Sequence, residues 1–242
     1  MRFPALFWRV QRRVVDRARG IVARWQDIPR ATPEQPGPLL LAGAMFPLDV
    51  VADHPLVQPD ATSCGSSTLV MLRMLRSPAY AAEVLGAPDR DAAFARAALA
   101  VRRRTNALRD ARGRLQLPWP ASLGTRPAAM IRLLESPAGF GDPQLRYHNV
   151  VIDPADPDPV YDAIVASVRA GEPVPLYIGD HRWMQHIVLV VRADDDRIGV
   201  YDPAIGRDAG FTRDEFCRGE LRVAGWWRAW LAILGSPSAK VS

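Results

Sequence analysis

The sequence has little cysteine, and this excludes two classes of small protein. Its 242 residues contain two cysteines, Cys64 and Cys217. Two cysteines cannot form the dense disulfide framework of a small secreted domain, and these two lack the spacing of a zinc finger. With 48% hydrophobic residues, a chain of this length is instead predicted to be a globular protein with a full hydrophobic core.

Lysine is nearly absent as well, because Lys240 is the only one in the chain. Arginine therefore carries almost all of the positive charge, and the formal net charge is +5. Such an arginine bias is typical of a GC-rich genome, so it does not by itself predict nucleic-acid binding. We expect no nucleic-acid partner.

No hydrophobic run is long enough to cross a bilayer. The longest run, 38–51, is interrupted by Pro47 and Asp49 and is shorter than the roughly 20 residues that a transmembrane helix requires. Arginines also break the apolar stretch near the N-terminus that a signal peptide would need. We therefore expect no transmembrane helix, no signal peptide and a cytoplasmic location.

Four segments are predicted from the pattern along the chain. Residues 1–28 form a basic amphipathic helix, because apolar residues recur every three or four positions and arginines fill the other faces. This helix either docks on a membrane surface or a partner protein, or folds back onto the main domain. Residues 29–38 are a proline-rich linker, 39–235 the main domain and 236–242 a tail.

Within the main domain, helical patterns come first and strand patterns later. Helices followed by an antiparallel sheet are typical of the α+β class. Thr125 is predicted to cap the helix that starts beside it. The predicted helices cover about 64–76, 79–85, 89–112, 124–135 and 159–170, and the predicted strands cover about 146–152, 172–178, 186–192 and 197–202.

Cys64 lies between a polar loop that contains Pro59 and an apolar run, 69–75, that is predicted to be a buried helix. A helix that begins at this cysteine directs its unpaired backbone N–H groups and its positive dipole end towards the sulfur, which favours the thiolate. The alternative is a structural cysteine that acts as a small hydrophobic residue at a helix start. The polar neighbours favour a nucleophile.

A nucleophilic cysteine needs a base and a group that orients the base. His186 begins one predicted strand and Asp202 ends the next, so a hairpin brings both to the same end of the sheet. His54 is an alternative base. The side-chain amide of Gln58 and the backbone N–H of Cys64 are candidates for an oxyanion hole.

These residues resemble the papain-like cysteine peptidases, and within them the bacteriocin-processing type that cleaves leader peptides after small residues. The resemblance covers about residues 55–207. It rests on Gln58 and Cys64-Gly65 leading into a helix, Gly171-Glu-Pro-Val-Pro-Leu before a strand, His186-Ile-Val-Leu-Val at the start of the next, and Tyr201-Asp202-Pro203 at the end of its partner.

The resemblance implies a papain-like α+β fold, with the cysteine on an N-terminal helical part and histidine and aspartate on a C-terminal antiparallel sheet. It also implies cleavage of a peptide or protein substrate through a thioester, without a cofactor or metal. Gln58 and the Cys64 backbone would form the oxyanion hole, His186 would be the general base and acid, and Asp202 would orient it. An acyltransferase or transglutaminase-like enzyme, and an inactive module that binds a peptide or partner, remain alternatives.

Four further features have more than one interpretation. Trp183 either walls a substrate cleft or covers the core. The arginine-rich stretch 102–114 is either a solvated helix face or a border of the cleft that selects acidic partners. The aromatic segment 225–234 either packs on the domain or meets a membrane. Asp180, His181 and His186 lack the spacing of a closed tetrahedral site, so no metal is expected.

Overall fold

The computed structural model describes residues 54–107, 115, 124–194 and 196–237. The predicted basic helix 1–28 and linker 29–38 lie outside these ranges. The helices are α1 (Cys64–Arg76), α2 (Pro78–Leu85), α3 (Arg90–Thr105), α4 (Pro127–Leu134), α5 (Asp158–Arg169) and α6 (Arg213–Arg218). The strands are β1 (Leu145–Val151), β2 (Val174–Gly179), β3 (Met184–Ala193), β4 (Arg197–Asp202), β5 (Arg207–Thr212) and β6 (Arg228–Pro237).

The six strands form one antiparallel sheet in the order β1-β6-β2-β3-β4-β5. This confirms the α+β class. The strand β6 comes from the aromatic segment 225–234, which was expected only to pack on the domain or meet a membrane. It instead lies inside the sheet, between β1 and β2, and continues to Pro237 in the predicted tail.

Helices cover both faces of the sheet. On one face α1 packs against β3 and is covered by α2 and α3, while α5 packs on the other face against β2, β3 and β6. Leu69, Met71, Leu72 and Met74 of α1 are all fully or almost fully buried. Because burying each such side chain contributes about 1.5–3 kcal/mol, α1 is firmly held by the core.

Two predicted helix boundaries were wrong. The helix predicted at 89–112 ends at Thr105. The cap of α4 is Arg126 rather than Thr125, and Pro127 occupies the first turn. Thr125 is buried, and its carbonyl accepts a hydrogen bond from the Tyr177 hydroxyl at 3.0 Å. Its position is therefore fixed by a tertiary contact and not by a helix-capping role.

The C-terminal end of α1 is fixed by a buried polar network. The Arg76 guanidinium donates to the Glu172 carboxylate, and the side chains of this pair are 14% and 5% exposed. The Tyr147 hydroxyl donates to the other oxygen of Glu172 at 2.8 Å and accepts from the Asp142 N–H at 2.7 Å. The network joins α1 to β1 and to the residues that precede β2.

None of the helices in the described ranges is both long and apolar enough to cross a membrane.

Candidate active site

Cys64 is the first residue of α1 and is 4% exposed. The close packing of its neighbour Gly65 sets its position. A Cβ on Gly65 would lie 2.6 Å from the Thr125 Cβ and 2.7 Å from the Ile187 Cδ1, so only glycine fits at this approach. Farther along α1, the Thr68 hydroxyl donates to the Ile187 carbonyl at 3.2 Å. The thiol is therefore held against the start of β3.

The hairpin of β3 and β4 brings His186 and Asp202 together, as expected. The pairing runs from Ala193 opposite Ile198 to Leu189 opposite Tyr201, so both site residues follow at the same end. The His186 Nε2 lies 2.8 Å from the Asp202 Oδ1.

Asp202 is completely buried and is held by its own turn. Its Oδ1 also accepts from the Ala204 N–H at 2.9 Å, while its Oδ2 is buried without a hydrogen-bond partner. Because Oδ1 faces Nε2 of His186, the ring carries its proton there when neutral, and Nδ1 is the nitrogen left for another partner.

The Cys64 thiol lies beside His186 in the lining of the same cleft, and its interaction with the imidazole affects the pKa of that ring. Burial of the imidazole disfavours its charged form. The hydrogen bond to Asp202 and the interaction with Cys64 outweigh burial and raise the pKa of His186 from 6.5 to about 9. At neutral pH the ring is thus held as an imidazolium beside the sulfur.

A narrow cleft gives access to this pair. Trp183 stands at its rim and is 48% exposed, so it does not serve to cover the core. The remaining wall is largely uncharged. The residues that line the cleft are Cys64, Thr125, Pro127, Tyr177, Trp183, Met184, Gln185, His186 and Ile187.

The loop that carries Trp183 is held by Asp180. Its Oδ1 accepts from the N–H groups of Arg182 at 2.7 Å and Trp183 at 2.9 Å, and its Oδ2 accepts from the Gln185 amide at 2.9 Å. The Trp230 indole N–H donates to the Asp180 carbonyl at 2.8 Å. Asp180 therefore supports the rim of the cleft.

Gln58 does not line this cleft. Its backbone N–H donates to the Pro203 carbonyl at 2.8 Å, which ties it to the turn after Asp202. Its side-chain Nε2 donates to the Asp60 carbonyl at 2.9 Å, and its Oε1 is buried without a partner. The amide has two N–H bonds, so one remains for a further acceptor.

Sequence patterns did not point to the contacts of Thr125, Tyr177 and Gly124 with the site. Gly124 has a φ of +64°, and a Cβ there would lie 3.8 Å from the Cys64 Sγ. Burial and the nearby Cys64 raise the pKa of the Tyr177 phenol well above its ordinary value, so it stays neutral. The positive φ of Gly124 cannot be recognised from sequence, because glycine is common in loops.

The other candidate groups lie outside the cleft. His54 faces the exposed Asp91 at 3.1 Å. Burial and the neighbouring Asp158 raise the pKa of Cys217 to about 11, so its thiol is poorly reactive. In the part of the chain that the structure describes, no three His, Cys, Asp or Glu residues are grouped as metal ligands.

The arginine-rich stretch divides into two parts. Arg102 forms an ion pair of 2.6 Å with Asp60 in the loop before Cys64, whereas Arg103 and Arg104 are exposed. The remaining arginines of the stretch lie outside the described residues. Part of the stretch therefore contacts the site loop, while its next two arginines are solvated.

No protein-family model matches this chain, and no curated protein matches it either.

Proposed function

We propose that the protein is a thiol hydrolase, most specifically a papain-like cysteine peptidase that cleaves peptide bonds through a thioester. The observation that carries the proposal is the ordered contact of Cys64, His186 and Asp202. A thiol at a helix N-terminus, a base beside it in the same cleft and a buried carboxylate bonded to that base are the parts of a cysteine nucleophile. The helix-borne cysteine and sheet-borne histidine and aspartate also support a papain-like fold.

The first half of the reaction forms the thioester. The Cys64 thiolate, whose proton is on His186, attacks the substrate carbonyl carbon and gives a tetrahedral oxyanion. The backbone N–H of Cys64 stabilises this oxygen, and the second N–H of the Gln58 amide is the further donor that the oxyanion hole would recruit from outside the cleft lining. His186 then donates its proton to the departing amine as the C–N bond breaks.

Water completes the cycle. It attacks the thioester carbonyl while His186 accepts one of its protons, and the second tetrahedral intermediate collapses to a carboxylic acid and the Cys64 thiolate. Asp202 keeps the imidazole oriented and stabilises its charge in both halves. No step in this scheme changes an oxidation state.

The lining of the cleft favours an uncharged group next to the scissile bond. Beyond the reacting Cys64 and His186, the walls are apolar or carry neutral polar groups, and Trp183 offers an exposed aromatic face. A charged substrate side chain would lose water there without gaining an ionic partner in that wall. We infer that the protein prefers substrates with a small or apolar residue next to the scissile bond.

The deciding experiment is the pH dependence of Cys64 alkylation by iodoacetamide, read by peptide mass spectrometry, with Cys217 as the internal control. We expect Cys64 to react well below pH 7 and the His186→Ala variant to lose this reactivity. A Cys64 that titrates like Cys217 or like a free thiol would overturn the peptidase proposal. It would favour an inactive module that binds a peptide or partner.

A second measurement separates hydrolysis from acyl transfer, because both pass through the same thioester. The wild type is incubated with an acyl-peptide ester and an added primary amine, and the products are weighed by mass spectrometry. A free acid as the main product supports the peptidase. A predominant amide would show instead the acyltransferase or transglutaminase-like activity.

A further inference from the structure

The loop before Cys64 is organised around Asp60. The Asp60 Oδ1 accepts hydrogen bonds from the Thr62 N–H at 2.8 Å, the Thr62 hydroxyl at 2.8 Å and the Ser63 hydroxyl at 3.0 Å. Its backbone carbonyl accepts from the Gln58 side-chain amide at 2.9 Å. Asp60 is therefore bonded to Gln58 on one side and to the residue next to Cys64 on the other.

Arg102 of α3 completes the environment of this carboxylate. Its Nη1 lies 2.6 Å from the Asp60 Oδ2, and the two side chains are 23% and 38% exposed. Partial burial opposes ionisation, but the bonds from Thr62 and Ser63 and the charge of Arg102 hold the pKa of Asp60 below its ordinary value. The loop is thus fastened through an ionised carboxylate to a helix that packs directly on α1.

The contacts of Asp60 also determine how the Ser63 side chain meets the start of α1. A serine that precedes a helix usually accepts a hydrogen bond from an N–H of the first turn. Ser63 makes no such side-chain bond, and its hydroxyl instead lies within hydrogen-bond distance of Asp60. The Ser63 hydroxyl therefore does not compete with the Cys64 sulfur or a substrate oxygen for the N–H groups of that turn.

We propose that Asp60 is a positioning residue for the nucleophile and the oxyanion hole, and that Arg102 is its anchor. Asp60 sets the Gln58 amide and the Cys64 backbone in one rigid loop and keeps the Ser63 hydroxyl away from the first-turn N–H groups. The oxyanion part rests on the proposed function. The part that concerns the thiol rests only on the contacts within the loop.

The test compares four variants. Asp60→Ala removes the carboxylate, Asp60→Asn keeps one oxygen acceptor, Arg102→Ala removes only the anchor, and Arg103→Ala is a matched control on the same helix. Hydrolysis of a fluorogenic peptide is measured per active site titrated with an irreversible thiol inhibitor. This normalisation removes losses that come only from unfolded protein.

We expect Asp60→Ala to lower kcat per titrated site by about tenfold to hundredfold while KM changes little, because misplaced groups lose transition-state contacts. Asp60→Asn should recover part of the loss, Arg102→Ala should lose about threefold to tenfold through the looser loop, and Arg103→Ala should equal the wild type. Arg102→Ala leaves the bonds inside the loop intact, so it decides the question even if Asp60→Ala does not fold.

The pH profile of Cys64 alkylation provides a second readout that needs no peptide turnover. In Asp60→Ala and Arg102→Ala, Cys64 should be alkylated more slowly than in the wild type below pH 7, because the first-turn N–H groups and the sulfur are less well aligned. Wild-type kcat per site together with a wild-type alkylation profile in both variants would overturn the inference. A wild type that cleaves no peptide would defeat the proposed function alone, and the alkylation profile would then decide the role of Asp60.

Discussion

The two ends of α1 both carry buried ionisable groups, and they are built in opposite ways. At the C-terminal end, Arg76 is paired with Glu172, and the Tyr147 hydroxyl occupies the second oxygen of that carboxylate. The basic side chain also suits the negative end of the helix dipole. This end is closed, with its opposite charges joined to each other.

At the N-terminal end the reactive groups border a cleft. His186 is hydrogen-bonded to Asp202 and lies beside Cys64 in the cleft lining. One oxygen of Asp202 has no hydrogen-bond partner, as is also true of the Arg76 Nε at the other end. A cleft with Trp183 at its rim leads to the sulfur. The comparison shows that burial alone does not mark a functional group, because Glu172 is as buried as Cys64. What differs is a nucleophile that a substrate can reach.

The largest expected effect comes from removing the nucleophile at the open end. Cys64→Ala should lower peptide hydrolysis by about 10⁴-fold or more, because no other group can form the thioester. The thermal unfolding midpoint should stay close to that of the wild type, and Cys217→Ala should keep full activity. Activity retained in Cys64→Ala would place the chemistry elsewhere in the protein.

The next effect concerns the orientation of His186. Asp202→Asn should lower kcat by about 10²- to 10⁴-fold, because an amide holds the imidazolium less well than a carboxylate does. In the wild type the rate should fall as the pH rises through about 9, where His186 loses its proton. Losing the carboxylate lowers that pKa, so the basic limb should move to lower pH. If the basic limb stays at the same pH in Asp202→Asn, Asp202 is not the group that raises the pKa of His186.

Substitutions at the C-terminal end of α1 should change the stability of the protein and not its catalytic rate. Glu172→Ala leaves the largely buried Arg76 with only its longer ion pair to Asp142, at 3.9 Å, and should lower the free energy of unfolding by about 3 kcal/mol. Denaturant unfolding measures this loss, and kcat per titrated active site should remain that of the wild type. If kcat per site falls as steeply as the stability, the two ends of α1 are coupled and the contrast between them fails.

The titration of His186 should also make the stability of the protein depend on pH. Its pKa is raised from 6.5 to about 9 in the folded state, so its contribution is fully present below about pH 6.5 and is lost as the pH rises through about 9. The difference in unfolding free energy between the wild type and His186→Ala should therefore shrink over this range. A difference that grows with pH would contradict a protonated ring.

The smallest effect is expected at the rim of the cleft. Trp183→Ala should raise KM for a peptide with an apolar residue at the cleavage site by about threefold to tenfold, because an aromatic contact of about 1 kcal/mol is lost. Trp227, which is 44% exposed and does not line the cleft, provides the matched control. Equal changes in the two variants would argue against a substrate contact at Trp183.

The local parts of the site were predictable from sequence. The polar loop before an apolar run gave the start of α1 at Cys64, and alternation in 186–202 gave the hairpin. The hairpin predicts that His186 and Asp202 lie at the same end of the sheet. The face and register that allow their bond depend, however, on the turn and on the register shift between Val190 and Arg192. Their catalytic roles remain a prediction.

The parts that depend on distant contacts were not predictable. Thr125 has a capping sequence, but contacts with Gly65 and Tyr177 decide its place. Arg102 looks like its exposed neighbours in an arginine-rich run, and only the packing of α3 against α1 brings it to Asp60. Local patterns carry no information on such pairings, since the residues are tens of positions apart.

The position of β6 has a consequence for how the protein is made. Among the described strands, β1 is paired with β6 alone, and one side of β2 is likewise paired with β6. During translation, β1 and this side of β2 have unpaired backbone edges until residues 228–237 have been synthesised. The nascent sheet is therefore exposed to misassembly until this segment has been synthesised, and its closure is a long-range step that slows folding.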